Sequence, residues 1–253
     1  MSPRHVLVTG AAGGIGLAVA EAFAARGDTV TGVDARGDEL RAATAITQRI
    51  VADLGDERCA EVIEQAARQA GPVDVLVNAA GIYPATPLDA MTAAAWDRVQ
   101  HVNVRAPVLL TVALARAGRP AAVVNISSGA ATRARSGAAH YCTSKAALEM
   151  ATKACAVELA GRGIRVNAVA PGFVEVDSPV NPVTEAYAAA VSANPIGRAG
   201  RAAEVAAAVV WLAGDEAGFV TGAVLRVDGG ATAGTAELPL HHTHITALQG
   251  AGH

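Results

Sequence analysis

The feature that most constrains this chain is the order in which its strand-forming and helix-forming stretches follow one another. Short runs rich in valine, isoleucine and leucine alternate with longer alanine-rich stretches along most of the length. Runs over His5–Thr9, Thr29–Asp34, Gln48–Val51, Val73–Asn78, Ala121–Ser127, Arg165–Ala170 and Ala223–Val227 read as strands. Most are continuously apolar, as expected of strands covered on both faces. Helices are expected over Ile15–Arg26, Glu57–Gln69, Ala93–Ala117, Tyr141–Ala160 and Ala203–Ala213, with Gly27, Gly71, Gly118 and Gly161–Gly163 as stops. Alternation of this kind predicts a single α/β domain, a doubly wound parallel sheet of about seven strands with helices on both faces. The 253 residues, 52% of them hydrophobic, suffice for one deep core but not for a second full domain. The domain is expected over 1–230, followed by an extension, 231–253.

Charge and cysteine usage narrow the partners. A net charge of −3 with no basic block gives no footprint for nucleic acid or an anionic membrane, so a small-molecule ligand is expected. Cys59, Cys142 and Cys155 show no paired metal spacing and are too few for a disulfide framework, consistent with a reducing compartment. The first strand begins almost at Met1, leaving no room for a signal peptide, and no stretch is long and apolar enough to span a bilayer. A cytoplasmic location is the expectation.

Between the first strand and the first helix lies Thr9-Gly10-Ala11-Ala12-Gly13-Gly14-Ile15-Gly16. Glycines in a strand–turn–helix junction let the backbone turn sharply and approach a pyrophosphate, while the helix N-terminus meets its charge. This is the setting a Rossmann-type dinucleotide fold requires. Asp34 ends the second strand, eighteen residues after Gly16, where a carboxylate bonds a ribose 2′-hydroxyl and repels a 2′-phosphate. It favours NAD over NADP, although Arg36, two residues on, is within reach of a phosphate.

Tyr141 and Lys145 are four residues apart, on one face of the expected helix, with Ser128 thirteen residues before Tyr141. A phenol with its ordinary pKa near 10 is a poor base at neutral pH, and a neighbouring ammonium favours its ionised form. The trio therefore describes a site for carbonyl/alcohol redox chemistry.

With these motifs in sequence, the chain from His5 to Gly230 resembles the short-chain dehydrogenase/reductase family. Thr9 to Gly16 looks like its cofactor turn, with Gly10, Gly14, Ile15 and Gly16 at the phosphates. Asp53-Leu54 resembles its adenine contact, and Asn78-Ala79-Ala80-Gly81 the motif after its fourth strand. Asn103, Ser128, Tyr141 and Lys145 match its catalytic set. Pro171-Gly172 resembles the nicotinamide-side motif, with Val174 main-chain groups available to the carboxamide, and Asp228-Gly229-Gly230 the close of the last strand. The resemblance implies Tyr141 as general acid/base and Ser128 bonded to the substrate oxygen. It also implies that Lys145 lowers the phenol's pKa and holds the nicotinamide ribose, that Asn103 supports a proton-relaying water, and that the chain assembles as a homotetramer or homodimer.

Other conspicuous residues read more blandly. Ser127 has the wrong spacing to replace Ser128. Asn167 reads as a structural hydrogen-bonding residue, and Trp96 and Trp211 as fillers of helix-packing gaps. His140 and Cys142 flank Tyr141 and point off its helix face. His241, His242, His244 and His253 lack acidic or cysteine partners, so no metal is expected. Where the family often has a threonine for the carboxamide, Val176 stands. Residues 178–196, with Tyr187 near a short helix, read as a substrate lid, and the extension 231–253 as a segment that packs across a neighbouring subunit or borders its pocket. Three functions follow: an NAD-dependent secondary alcohol dehydrogenase/ketone reductase, a 3-oxoacyl thioester (acyl carrier protein) reductase using NADPH, and a noncatalytic dinucleotide sensor. Asp34 and the missing basic surface weigh against the second, and the intact catalytic set against the third.

Overall fold

A computed structural model describes residues 3–176, 188 and 194–234. Seven strands form one wholly parallel sheet: β1 (His5–Thr9), β2 (Thr29–Asp34), β3 (Gln48–Val51), β4 (Val75–Asn78), β5 (Ala121–Ile126), β6 (Ile164–Pro171) and an edge strand at Val224–Val227, β9. Their spatial order is β3-β2-β1-β4-β5-β6-β9. The order reverses between β1 and β4, so the carboxyl ends of these two strands flank the crevice where open α/β sheets bind ligands.

The helices whose bounds lie among the described residues are α1 (Gly14–Ala24), α2 (Gly37–Ala42), α3 (Glu61–Ala70), α4 (Ala93–Gln100), α5 (Ala106–Arg116), α6 (Ala139–Leu159) and α7 (Ala202–Ala213). Side chains alternate across the sheet and build a core on each face. Val6 and Val8 of β1 join Phe23 of α1 and Val209 of α7 on one side, while Leu7 joins Ile63 of α3 and Leu110 and Leu114 of α5 on the other. The inward stripe of α1, Gly16, Val19, Ala20 and Phe23, has helical spacing.

All seven expected strands are present, four of them with ends moved by up to two residues, and the differences among the helices have local causes. The stretch from Glu57 opens as a 3₁₀ turn, Glu57–Ala60, because the Asp56 carboxylate accepts from Arg58 N and tightens the entry. The long helix expected over Ala93–Ala117 is broken by a π turn, His101–Arg105, centred on Asn103. Interruptions of this kind concentrate at functional positions. The structure adds α2, which buries only Leu40, and a two-residue ladder joining β7 (Val174–Glu175) to β8 (Gly200–Arg201). Trp211 is 44% exposed and does not fill a packing gap: its neighbours Val209 and Leu212 face the core, which turns Trp211 outward. Trp96 is half-buried. Asn167 stitches β6 to the segment before β9, donating to Val220 O (2.8 Å) and accepting from Ala223 N (3.0 Å). Most of the lid segment and nearly all of the extension lie outside the described residues, and no described helix is long and apolar enough to cross a membrane.

One side chain joins β1 to the chain leaving β4. Thr9 Oγ1 accepts from the main-chain N–H groups of Ala79 and Ala80, both at 3.1 Å. Replacing Thr9 by Val keeps the shape and orphans two amides, so Thr9→Val should lower stability by about 1–3 kcal/mol. Urea unfolding of the two proteins checks this, and equal midpoints would show that the hydroxyl carries no such load.

Candidate active site

The β1–α1 turn is shaped by what its glycines lack. Gly10 and Gly14 take positive φ, +67° and +54°. A Cβ on Gly10 would lie 2.8 Å from the Ala80 backbone, and one on Gly16 would overlap the Gly10 carbonyl. Only glycine permits this approach. The N-cap of α1, Gly13, makes no side-chain cap bond, so no cap side chain consumes the first main-chain N–H groups of the helix. A diphosphate fits such a cradle: the amides and helix dipole meet its charge, and no side chain blocks it. Val176 lies over this turn, its Cγ1 3.7 Å from where a Gly14 Cβ would be.

Asp34 sits at the end of β2, 9% exposed, where sequence spacing places the ribose. Its carboxylate accepts from Ala12 N (3.1 Å), Arg36 N (3.0 Å) and Arg36 Nε (3.2 Å). The Arg36 guanidinium reaches back over Gly13, Nη2 standing 3.4 Å from a Cβ built there. An acid and a base thus occupy the same corner. Asp53 is held by Gly55 N (2.8 Å) and by Arg98 (2.9 Å to both oxygens), and the Arg98 bond leads the causes that lower its pKa. Leu54 beside it is buried. Asn78 is buried and donates to Asn125 Oδ1 (2.8 Å), and Asn125 donates to Thr152 Oγ1 (2.9 Å), a chain tying β4 through β5 to α6. Ala79, Ala80 and Gly81 carry the β4 backbone past the glycine turn. On the far side Pro171 ends β6, Gly172 N bonds Val227 O (3.0 Å), and Val174 is buried in the small ladder.

Ser128, Tyr141 and Lys145 converge at this same carboxyl edge. Ser128 caps the turn Gly129–Ala131, its Oγ accepting from Ala130 N at 3.1 Å, and its hydroxyl acts to lower the pKa of the Tyr141 phenol. Lys145 is buried, donates from Nζ to Ile126 O (2.8 Å), and stands 5.8 Å from the centre of the Tyr141 ring. Burial lowers its pKa from 10.5 to about 8. The electrostatics around the phenol differ from expectation. Protein mass packed about the partly exposed ring raises its pKa, and this outweighs the opposing effects of Ser128 and of Arg135. Lys145 turns its ammonium to Ile126 O, and its own charge is weakened by burial.

Asn103, in the π turn, is fully buried, and both N–H donors of its amide are used. Nδ2 donates to Ile82 O (2.9 Å) and Ser144 Oγ (3.0 Å), and Oδ1 accepts from Ile82 N (2.9 Å). The next residue back, Gly81, lies between Asn103 and Lys145: a Cβ there would be 3.4 Å from Oδ1 and 3.5 Å from Nζ. His140 is fully buried and turned inward, Nδ1 accepting from Tyr141 N (2.9 Å). Ser127 donates to Glu149 (2.9 Å), which also pairs with Arg226 (3.3 Å), so it is committed away from the phenol. Two residues about the phenol went unmarked in the sequence. The Tyr83 ring lies 5.8 Å from that of Tyr141, and the Arg135 guanidinium 5.4 Å from the same ring. Both come from loops, where neither periodicity nor motif gives a signal.

Residues 10–232 match a family model described as enoyl-(acyl carrier protein) reductase. The chain is 38% identical over 235 residues to a 3-oxoacyl-[acyl-carrier-protein] reductase of Thermotoga maritima, covering 88% of this chain and 96% of the relative. It is 41% identical over 239 residues to an L-tagatose-forming galactitol 2-dehydrogenase of Cereibacter sphaeroides, covering 89% and 93%. A solved short-chain dehydrogenase of Burkholderia cenocepacia in complex with NADP superposes with a TM-score of 0.85 at 36% identity, covering 90% of this chain and 98% of that one.

The buried Lys145 makes stability depend on pH in a definite direction. Between about pH 8 and 10.5 the unfolded chain holds a proton that the folded chain has lost, so stability rises with pH across that window. Relative to Lys145→Met, the wild type should gain about 3 kcal/mol. Urea unfolding across the window measures it, and a constant difference between the two proteins would contradict the burial effect.

Proposed function

The chain belongs to the short-chain dehydrogenase/reductase family and is an NAD(P)-dependent oxidoreductase of alcohol and ketone groups, and on that premise we propose that Tyr141 is its general acid/base and NAD(H) its cofactor. The observation that carries this reading is the convergence of Ser128, Tyr141 and Lys145 beside a glycine cradle at one sheet edge.

When bound, a nicotinamide dinucleotide supplies or accepts the hydride. The residues expected to hold it are Gly10, Gly14, Ile15 and Gly16 at the diphosphate and Asp34 at the adenosine ribose. Asp53, Leu54 and the Asn78–Gly81 segment would border the adenosine side. Pro171, Gly172 and the Val174 main chain would border the nicotinamide. The chemistry left to the protein is proton movement and charge stabilisation. During reduction the Tyr141 hydroxyl gives its proton to the carbonyl oxygen, and in oxidation the phenolate takes the alcohol proton. Ser128 Oγ donates to the same substrate oxygen and stabilises the charge developing there. Lys145, about one helix turn on from the phenol, would hold the nicotinamide ribose hydroxyls. Asn103 clamps Ile82 and so fixes Gly81 against Lys145 Nζ. Its amide has no N–H left for a relay water, which would donate to an oxygen, Oδ1 or a main-chain carbonyl.

Asp34 supports NAD(H), and Arg36 tempers the preference, since the carboxylate accepts from that guanidinium. The NADP-bound relative makes the same point. Exposed Val112, Met150 and Val157 on α5 and α6 support a homodimer or homotetramer assembled through these helices. A second reading, reduction of a 3-oxoacyl thioester with NADPH, is favoured by the Thermotoga relative. Turnover with NAD(H) and NADP(H) side by side, on secondary alcohols, ketones and a 3-oxoacyl thioester, separates the two. The proposed function predicts faster turnover with NAD(H) on a simple alcohol or ketone, and NADPH-selective reduction of the thioester alone would replace it. Tyr141→Phe should lower kcat by about 10²–10⁴-fold with cofactor binding unchanged. Full turnover in that variant would remove Tyr141 from its assigned role.

A further inference from the structure

The Tyr141 phenol lies between two cations of opposite character. Lys145 is buried, its ammonium donates to Ile126 O, and its pKa of about 8 means that it discharges as the solution turns alkaline. Arg135 is exposed, its guanidinium carbon is 5.4 Å from the ring centre, and it keeps its charge at any pH at which the protein folds. The loop that carries Arg135 is pinned on both sides. At its start, Ser128 caps the turn, Arg133 N bonds Gly129 O (3.2 Å), and Arg133 Nη1 donates to Ala231 O (2.6 Å). At its end, Gly137, at φ +69°, accepts through its carbonyl from Thr86 N (2.8 Å) just before α6 begins. Arg135 is delivered between these anchors, against the ring, at a position four residues before the first turn of α6 brings in His140 and Tyr141.

We propose that Arg135 is a positioning residue for the reaction: a cation held by a pinned loop against the Tyr141 ring that stabilises the phenolate from outside α6. The inference rests on the reading of Tyr141 as general acid/base. The groups that surround the phenol are Ser128 from the end of β5, Tyr83 from the loop after β4, Arg135 from the pinned loop and Lys145 from α6 itself, with Cys142 next to it in the chain. Among these, Ser128 and Arg135 act toward the ionised form, and Tyr83 and Cys142 against it. A cation within about 4–6 Å of an acid favours its charged state. Being exposed, the Arg135 contribution is also open to screening by salt, which a buried ammonium resists.

The test compares wild type, Arg135→Gln and Arg135→Lys, reading the pH dependence of kcat/KM for alcohol oxidation and, separately, the ultraviolet tyrosinate titration of each protein against its Tyr141→Phe counterpart. In Arg135→Gln the Tyr141 titration and the activity limb should both move up by about one pH unit. Arg135→Lys should restore most of the shift at neutral pH. Salt at about 1 M, where the Debye length is about 3 Å, should move the wild type toward the Gln variant and leave that variant in place. Superimposable titrations of wild type and Arg135→Gln, or a Lys variant no better than the Gln one, would overturn the proposal. If no alcohol or ketone turns over with either cofactor, the redox reading falls, while the absorbance titration still decides whether Arg135 governs the phenol.

Discussion

The site depends on one backbone-to-backbone approach, that of Gly10 on Ala80. At van der Waals limits no side chain fits between them, and the Thr9 hydroxyl closes the contact by accepting from both amides at the start of the β4 extension. The consequence extends in two directions. Toward α1, the turn leaves the helix N-terminus open as an anion cradle. Toward α4 and α5, the extension carries Gly81 and Ile82 to Asn103, whose amide holds Ile82, and Gly81 in turn lies against Lys145. Cofactor cradle and proton-handling residues therefore share one scaffold, and a change at the glycine turn reaches the catalytic lysine through only a few residues.

Burial then sets the electrostatics. A parallel sheet with both faces covered puts its carboxyl edge under helices and loops, so groups at that edge lose water. The phenol and the ammonium both respond by favouring their neutral forms, Tyr141 with a raised pKa and Lys145 with a lowered one. A neutral phenol suits donation of a proton to a carbonyl. Ionising it for the reverse reaction requires compensation, which the fold supplies from outside the helix, through the Ser128 hydroxyl and the Arg135 guanidinium.

Most of this was legible in the sequence, for reasons that separate along physical lines. The seven strands were visible because each is a short apolar run, and the trio Ser128, Tyr141 and Lys145 because its spacing is set by a strand end and one helix turn. The π turn at Asn103 was hidden, since the helix on either side of it is alanine-rich and apolar enough to read as continuous, and its cause is a long-range bond to Ile82. The net upward direction of the phenol's pKa was hidden for a similar reason, burial by segments distant in sequence. Spacing along a helix shows that Lys145 shares a face with Tyr141 but not that a carbonyl at Ile126 captures its ammonium. Trp211 looked like core because its helix is apolar all round, and only the packing of α7 against α1 decides which side faces out.

The most direct measurement follows the hydride itself. With NADH carrying deuterium at the transferable position of the nicotinamide, and a panel of ketones, mass spectrometry of the products locates the label. The account predicts deuterium on the carbinol carbon of at least one product, and none in the Tyr141→Phe protein over the same interval. NADH that binds tightly yet keeps its label against every ketone would contradict the account and leave a dinucleotide sensor in its place.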